Sequence, residues 1–169
     1  MGRDKALLPV AGTPMALRVA GALRAGGCSS VMGIGGDAES LKAVGLATIP
    51  DRWPGEGPLG GVITALEHFP AAEAVFVAAC DLAQLAADAV AALIDELNVA
   101  PDVDVAMAFT DRRQPLCAVW RPRAATRLSA VFAVGGRRLL DALDELAVLD
   151  VIVTTSQLIN VNTVDDLPG

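Results

Sequence analysis

A carboxylate follows an apolar run in the middle of this chain. Residues 74–80, Ala-Val-Phe-Val-Ala-Ala-Cys, contain no polar side chain, and Asp81 comes directly after them. A buried carboxylate is costly unless a cation or hydrogen bonds compensate it. Asp51 likewise follows a short predicted strand, 45–50. Carboxylates at strand ends commonly hold Mg²⁺ together with nucleotide phosphates, so both residues are candidates for a metal–nucleotide site. A helix cap is the structural alternative for Asp81.

A glycine-rich loop lies between the two acidic residues. Gly-Glu-Gly-Pro-Leu-Gly at 55–60 matches the G-x-G-x-x-G dinucleotide fingerprint. Pro58 removes an N–H group from the stretch that should face a pyrophosphate, and a P-loop would need Lys and Ser or Thr after Gly60. We therefore expect the backbone at Gly57, Pro58 and Gly60 to approach a flat ligand at a helix start. A flexible connection is the alternative.

Several other polar residues could contact an anionic or polar ligand. Lys5 precedes an apolar segment and could act as a point charge on phosphate. Arg137 and Arg138 are expected at a helix start, where the dipole disfavours cations, so an anion between them would resolve the conflict. Asn160 and Asn162 alternate onto one face and could contact polar ligand edges. Solvated cations and Asx turns are the alternatives.

Composition excludes several functional classes. The net charge of −7 and the pI of 4.6 disfavour binding to a nucleic-acid backbone. Cys28, Cys80 and Cys117 are far apart, which argues against a disulfide framework or a zinc site and fits a reducing cytoplasm. No apolar run approaches the roughly 18 residues of a membrane span, and the first five residues do not resemble a signal peptide. The lone His68 has no triad motif around it.

The scaffold that positions these residues is predicted to be one α/β domain over residues 1–169. Apolar periodicity and glycine or proline breaks predict an alternation of helices and strands, with Thr13 capping the first helix. Alternation favours a three-layer α/β/α sandwich around a Rossmann-like, mostly parallel sheet. Ligands then bind at the carboxyl ends of the strands, where Asp51 and Asp81 are expected to converge. The predicted helices are 14–25, 39–44, one that the glycine-rich stretch 52–61 opens and Pro70 ends, 84–98, 122–133 and 137–147. The predicted strands are 30–36, 45–50, 74–80, 103–109, 116–120 and 148–154. Of these, 74–80 is expected to be buried on both faces, and 103–109 with 116–120 to form an antiparallel, half-exposed pair.

Five segments in this order and spacing make the chain resemble the molybdenum cofactor guanylyltransferases of the nucleotidyltransferase superfamily. They are "MGRDKALLPVAGTP", "PDRWPGEGPLGG", "VFVAACDLA", "RRQPLCAVW" and "NVNTVDDL". The resemblance implies the nucleotide-diphospho-sugar transferase type of fold. It also implies transfer of GMP from GTP to the terminal phosphate of molybdopterin, with Mg²⁺ as cofactor, and contacts with other molybdenum cofactor proteins.

The same resemblance assigns roles to the candidate residues. Lys5 would contact the triphosphate, and Asp81 would touch GTP and ligate Mg²⁺, which makes these two the catalytic candidates. Asp51 would hold the guanosine end together with the loop residues Gly57, Pro58 and Gly60. The pterin side would be formed by Arg137, Arg138, Asn160 and Asn162.

Two departures from the family pattern and three alternatives accompany this interpretation. Ala83 stands where the family usually has proline. The family begins with a strand and a loop L-A-G-G-x-S-x-R-M, whereas this sequence starts at that Met, so we expect the natural polypeptide to start upstream. Cytidylyl transfer, a non-catalytic pterin- or partner-binding protein, and, from the sequence 55–60, an NAD(P)-binding oxidoreductase are the alternatives.

Overall fold

The computed structural model describes residues 5–154 and 158, which form two units. The described part of unit 1 consists of residues 5–49, 78–91, 153–154 and 158, and unit 2 consists of residues 50–77 and 92–152. None of the helices described is both long enough and apolar enough to cross a membrane. The expectation of a single domain stays a prediction.

Helices and strands alternate along the described chain, which confirms the predicted α/β class. The predicted types hold, with boundaries that shift by a few residues and a shorter final helix than 137–147. The helices are α1 (Met15–Ala25), α2 (Ala38–Ala43), α3 (Pro58–His68), α4 (Ala87–Val99), α5 (Ala124–Ala133) and α6 (Leu139–Ala142). The strands are β1 (Pro9–Val10), β2 (Thr13–Pro14), β3 (Gly33–Ile34), β4 (Thr48–Ile49), β5 (Val75–Ala78), β6 (Val105–Phe109), β7 (Arg113–Trp120) and β8 (Val148–Ile152). Two 3₁₀ turns cover Lys5–Leu7 and Leu143–Glu145.

Helix α1 in unit 1 buries the apolar stripe that its sequence predicts, Met15, Val19 and Leu23. The predicted cap is wrong, because Pro14 occupies the N-cap position and no side chain caps the helix. Thr13 instead pairs with Val10 in the antiparallel hairpin of β1 and β2. Strands β3 and β4 of the same unit pair in parallel.

A four-stranded sheet has the strand order β5-β7-β6-β8. Strand β6 is antiparallel to β7 and parallel to β8, with Val105 opposite both Trp120 and Val148. The predicted antiparallel pair is therefore confirmed. Its half-exposed character is wrong for β6, whose first four residues are buried. The predicted half-exposed character is also wrong for most of 116–120, since Cys117–Trp120 of β7 are buried. Burial of both faces of a strand depends on what packs on the sheet, so alternation of polarity does not decide its exposure.

The prediction that residues 74–80 are buried on both faces is wrong. Only Val75 of β5 is buried, the rest of the strand is partly exposed, and Cys80 is exposed. Strand β5 stands at one end of the strand order in the described sheet. An end strand has a single hydrogen-bonded neighbour, so its side chains receive less cover than those of a central strand.

A buried carboxylate, Asp104, precedes β6 and holds one end of the sheet. Its oxygens accept hydrogen bonds from Arg123 Nε at 2.8 Å, Arg127 Nη1 at 2.7 Å and the Ala147 N–H at 3.1 Å. Burial raises the pKa of Asp104, but the hydrogen bonds and the two guanidinium charges outweigh burial and hold the pKa below its ordinary value. The carboxylate therefore joins β6, α5 and the start of β8.

The loop that precedes α3 contacts α5 through an aromatic pair. The ring centroids of Trp53 and Phe132 lie 5.0 Å apart. A Cβ atom added at Gly60 would lie 3.2 Å from the Trp53 Cβ, whereas one added at the neighbouring Gly61 would meet nothing within 4 Å. Gly60 therefore lets the first turn of α3 approach Trp53 closely.

Replacing Asp104 should destabilise the protein measurably. We expect Asp104→Asn to lower the free energy of unfolding by about 2 kcal/mol at neutral pH, because charged hydrogen bonds to two arginines are lost. The exposed neighbour Asp102 provides the matched control, and Asp102→Asn should change the unfolding free energy by less than about 0.5 kcal/mol. Urea unfolding of both variants measures the difference, and equal stabilities would contradict the role of Asp104.

The stabilisation by Asp104 should depend on pH in one direction. Because its pKa is lower in the folded than in the unfolded chain, the stabilisation is fully present above the ordinary aspartate pKa of 3.8. It is lost as the pH falls from there through the folded-state pKa. The stability difference between the wild type and Asp104→Asn should therefore shrink in acid, and a difference that stays constant would contradict this explanation.

The two adjacent glycines of α3 should respond differently to alanine. We expect Gly61→Ala to raise the unfolding free energy by about 0.5–1 kcal/mol, because alanine has the higher helix propensity and the site is open. Gly60→Ala should be less stable than Gly61→Ala by about 1 kcal/mol, because Trp53 must move to accept the methyl group. Thermal unfolding compares the two variants, and Gly60→Ala equalling Gly61→Ala would contradict the close packing of Trp53.

Candidate functional site

The carboxylate that follows β5 has a cation beside it in unit 1. Lys5 Nζ donates to Asp81 Oδ2 at 3.0 Å, and the two side chains are 42% and 24% exposed. A partly exposed ion pair contributes only about 0–1 kcal/mol to stability, so stability is a weak reason for placing these charges together. Sequence reasoning proposed both residues, and the structure brings them into contact.

The turn that carries Asp81 is fixed by its apolar neighbours. Leu82 and Ala83, the two residues after Asp81, are buried. Ala83 packs in a small cluster with Val10 of the hairpin and Met15 of α1. Ala83 is thus held by burial, and the Asp81 backbone two residues before it is held with it.

Arg18 is a positioning residue that sequence reasoning missed. Its Nε donates to the Ala83 carbonyl oxygen at 2.9 Å, across 65 residues of sequence. The bond ties α1 to the turn that carries Asp81. Because the partner is a backbone carbonyl far along the chain, no local pattern in the sequence could have identified it.

Lys5 is held by the 3₁₀ turn that it begins. Ala6 is buried in a cluster with Ala16 and Ala20 of α1, and the Leu8 N–H donates to the Lys5 carbonyl at 3.1 Å. The Met15 N–H in turn donates to the Leu8 carbonyl at 3.0 Å. These contacts connect the backbone of Lys5 to the start of α1.

A cleft of about 690 Å³ in unit 1 borders the turn that carries Asp81, since Arg18 and Ala83 line it. Small residues dominate its lining, and neither Lys5 nor Asp81 belongs to it. The lining residues are Val10, Ala11, Arg18, Gly21, Ala22, Ala25, Ala83, Gln84, Leu85 and Ala87. We therefore take the ion pair, and not this cleft, as the candidate site of unit 1.

Asp51 belongs to unit 2, where it organises the chain after β4. Its Oδ1 accepts from the Trp53 N–H at 3.0 Å and lies 3.4 Å from the Thr64 hydroxyl oxygen. The Thr64 hydroxyl also donates to the Gly60 carbonyl at 2.9 Å. Asp51 thus forms an Asx turn at the start of the glycine loop. Its convergence with Asp81, which lies in the other unit, stays a prediction.

The glycine loop leads directly into α3. Gly57 is the N-cap residue with φ of +91°, a conformation that favours glycine, and Pro58 is the first helical residue. Both are exposed, whereas Gly60 is buried beneath Trp53. The exposed backbone at Gly57 and Pro58 is therefore accessible to a ligand, and Gly60 serves the packing of the protein itself.

Of the two arginines after α5, Arg138 stands at a helix start as predicted, whereas Arg137 contacts the end of the preceding helix. Arg138 is the N-cap residue of α6 and lies 3.6 Å from Asp141 in its first turn. Arg137 precedes the helix and donates to the Phe132 and Gly136 carbonyls at 2.8 and 2.9 Å. Carbonyl groups at a helix C-terminus favour a cation, so the expected conflict of Arg137 with a helix dipole does not arise. The other predicted pterin-side residues, Asn160 and Asn162, lie outside the described residues.

Comparison with known proteins identifies a family for this chain. A model of the MobA-like NTP transferase domain matches residues 1–147, which include both members of the ion pair. A probable molybdenum cofactor guanylyltransferase of Chloroflexus aggregans is 34% identical over an alignment of 181 positions. The alignment covers 98% of this chain and 85% of that protein.

Solved structures confirm the fold. The molybdopterin-guanine dinucleotide biosynthesis protein A of Archaeoglobus fulgidus superposes with a TM-score of 0.74 at 22% identity, over 98% of this chain and 87% of that one. A Mycobacterium tuberculosis protein in complex with manganese gives a TM-score of 0.68 at 20% identity, over 98% and 90% of the two chains. The match over residues 1–147 and the identity to the Chloroflexus protein lead to one assignment: the chain belongs to the MobA-like NTP transferase family.

Proposed function

We propose that this protein transfers GMP from GTP to the terminal phosphate of molybdopterin and releases pyrophosphate. The observation that carries the proposal is the Lys5–Asp81 pair, held at 3.0 Å on a fixed turn. Membership of the MobA-like family and the guanylyltransferase name of the Chloroflexus relative support the choice of reaction. They also favour nucleotidyl transfer over the NAD(P) interpretation of the glycine loop.

The reaction requires no nucleophile from the protein. A phosphate oxygen of molybdopterin attacks the α-phosphorus of GTP in line, the bond from that phosphorus to the bridging oxygen breaks, and pyrophosphate leaves with its electron pair. Burial raises the pKa of the Cys117 thiol to about 12. This thiol is therefore protonated at neutral pH and is not in the nucleophilic thiolate form. The protein contributes positioning and charge. Lys5 supplies a positive charge to the triphosphate as negative charge develops on it.

Asp81 is the residue that would hold a Mg²⁺ ion. Its chemistry fits, because Mg²⁺ is usually bound by one or two carboxylates and completed by substrate phosphates and water. Within the described residues, no three or more His, Cys, Asp or Glu side chains are grouped so as to form a metal cage, so the nucleotide would supply further ligands. When bound, the ion would neutralise charge on the phosphates. The manganese complex of the Mycobacterium relative supports a divalent metal in this fold.

The remaining substrate contacts are distributed between two groups of residues. Asp51 and the exposed backbone of Gly57 and Pro58 would hold the guanosine end, with Gly60 supporting the loop from beneath. Arg138, with Asn160 and Asn162, would contact molybdopterin. Such an enzyme would work in the cytoplasm, which fits three cysteines that form no disulfide.

A direct assay tests the proposed reaction. The polypeptide expressed from its native locus is incubated with Mg²⁺, molybdopterin and either GTP or CTP, and pyrophosphate release and the mass of the pterin product are measured. We expect release with GTP and a product heavier by one GMP unit. Release with CTP alone would identify a cytidylyltransferase, and no release with either nucleotide would contradict the proposed enzyme.

Lys5→Met and Asp81→Asn should separate catalysis from stability. We expect each variant to lower kcat/KM for GTP by about 100-fold or more, because each removes a charge that acts on the triphosphate. The unfolding free energy should change by less than about 1 kcal/mol, because the pair is partly exposed. Lys42 in α2 is exposed, and Lys42→Met is the matched control that should keep full activity. Full activity in Asp81→Asn would contradict the assignment.

A further inference from the structure

Arg137 is held by four contacts that all lie within unit 2. Its Nε donates to Glu56 Oε2 at 2.6 Å, and its Nη1 donates to the carbonyls of Phe132 and Gly136. The guanidinium carbon lies 3.9 Å from the centroid of the Phe132 ring. The guanidinium therefore connects the end of α5 to the glycine loop that precedes α3.

The Gly55–Gly57 segment that Arg137 contacts has a flexible, glycine-rich backbone. Glu56 stands between Gly55 and Gly57, whose φ angles are +82° and +91°. Glycine loses more backbone freedom on ordering than other residues do, so a segment of this composition orders at an entropic cost. The Glu56 side chain is the only one within Gly55–Gly57 that can attach the segment to a neighbour.

Phe132 extends the same support to the start of α3. The ring that stacks on Arg137 also contacts Trp53, and Trp53 packs on Gly60. A Cβ atom added at Gly57 would lie 3.7 Å from the Arg137 carbonyl oxygen, so the two backbones also lie close together. The position of the loop is thus set by Arg137 and the aromatic pair together.

We propose that Arg137 is a positioning residue for the nucleotide, which acts through its ion pair with Glu56 to hold the Gly55–Gly57 loop ready for the guanosine end. This inference rests on the proposed function, in which that loop contacts GTP. A loop that is ordered before binding removes an entropic cost from the affinity. The pair therefore affects GTP binding more than it affects stability, since its side chains are 41% and 49% exposed.

The alternative role of Arg137 is direct contact with molybdopterin, as the family resemblance implies. The two roles differ in the substrate whose binding they affect. A positioning residue acts on the KM for GTP and shares its effect with Glu56. A pterin ligand acts on the KM for molybdopterin and is independent of Glu56.

Steady-state kinetics of Arg137→Gln, Glu56→Gln and the double variant test the proposal. We expect each single variant to raise the KM for GTP about fivefold, with kcat and the KM for molybdopterin nearly unchanged. The double variant should be no worse than either single variant, because both substitutions break one contact. Arg137→Lys should recover part of the loss, since a lysine can still pair with Glu56. Calorimetric titration with GTP should show the same loss of affinity without turnover.

A second ion pair of unit 2 serves as the matched control. Arg113 Nε donates to Asp150 at 2.8 Å between β7 and β8, and these side chains are 39% and 36% exposed. Arg113→Gln and Asp150→Asn should leave the KM for GTP unchanged. If they raise it as much as the Arg137 and Glu56 variants do, the effect is general and the proposal is overturned.

The remaining outcomes distinguish this inference from the proposed function. A raised KM for molybdopterin in Arg137→Gln, with Glu56→Gln behaving as wild type, would overturn the positioning role in favour of a pterin ligand. An unchanged KM for GTP in both single variants would also overturn it, while wild-type release of pyrophosphate would leave the proposed reaction standing. Absence of wild-type turnover would contradict the proposed reaction itself, and calorimetry would still show whether Arg137 affects GTP binding.

Discussion

Two partly exposed charges keep a fixed separation only when the backbone beneath them is fixed, and apolar burial does this for Lys5 and Asp81. The ion pair adds little free energy by itself. Ala83 is buried against the hairpin and α1, and its carbonyl accepts a hydrogen bond from Arg18. The turn that carries Asp81 is therefore ordered by contacts that do not involve the charges. Phosphoryl transfer depends on such preorganised charge, because positioning and electrostatics supply most of its catalysis.

In unit 2, side chains of the protein hold the glycine loop in place, and the backbone of the loop stays accessible to a ligand. Asp51 accepts from the Trp53 N–H, and Arg137 pairs with Glu56. When the sequence is considered alone, the side chains of Asp51 and Arg137 both suggest ligand contacts. In the structure, they act first on the backbone of the glycine loop and leave Gly57 accessible. A loop rich in glycine offers close approach to a ligand, and it needs side chains elsewhere to fix its conformation.

Sequence patterns predicted the elements well and their burial less well. Glycine, proline and apolar spacing located the helices and strands, because these signals act within a few residues. The exposure of β5 and the burial of β6 were predicted wrongly, because they depend on which distant segments pack on each strand. Asp104 belongs to the alternation that predicted a half-exposed strand, yet it is buried, and two arginines and a backbone N–H converge on it.

The sequence by itself determined the α/β class, the family resemblance and the residue types of the candidate site, including Lys5 and Asp81. Tertiary structure decided which residues meet. Lys5 contacts Asp81 across 76 residues, Arg18 contacts Ala83 across 65, and Arg137 contacts Glu56 across 81. Local propensity acts over one turn of helix or a few residues of strand, so it carries no information about such pairs. They form only when the buried contacts of the whole chain bring distant segments together.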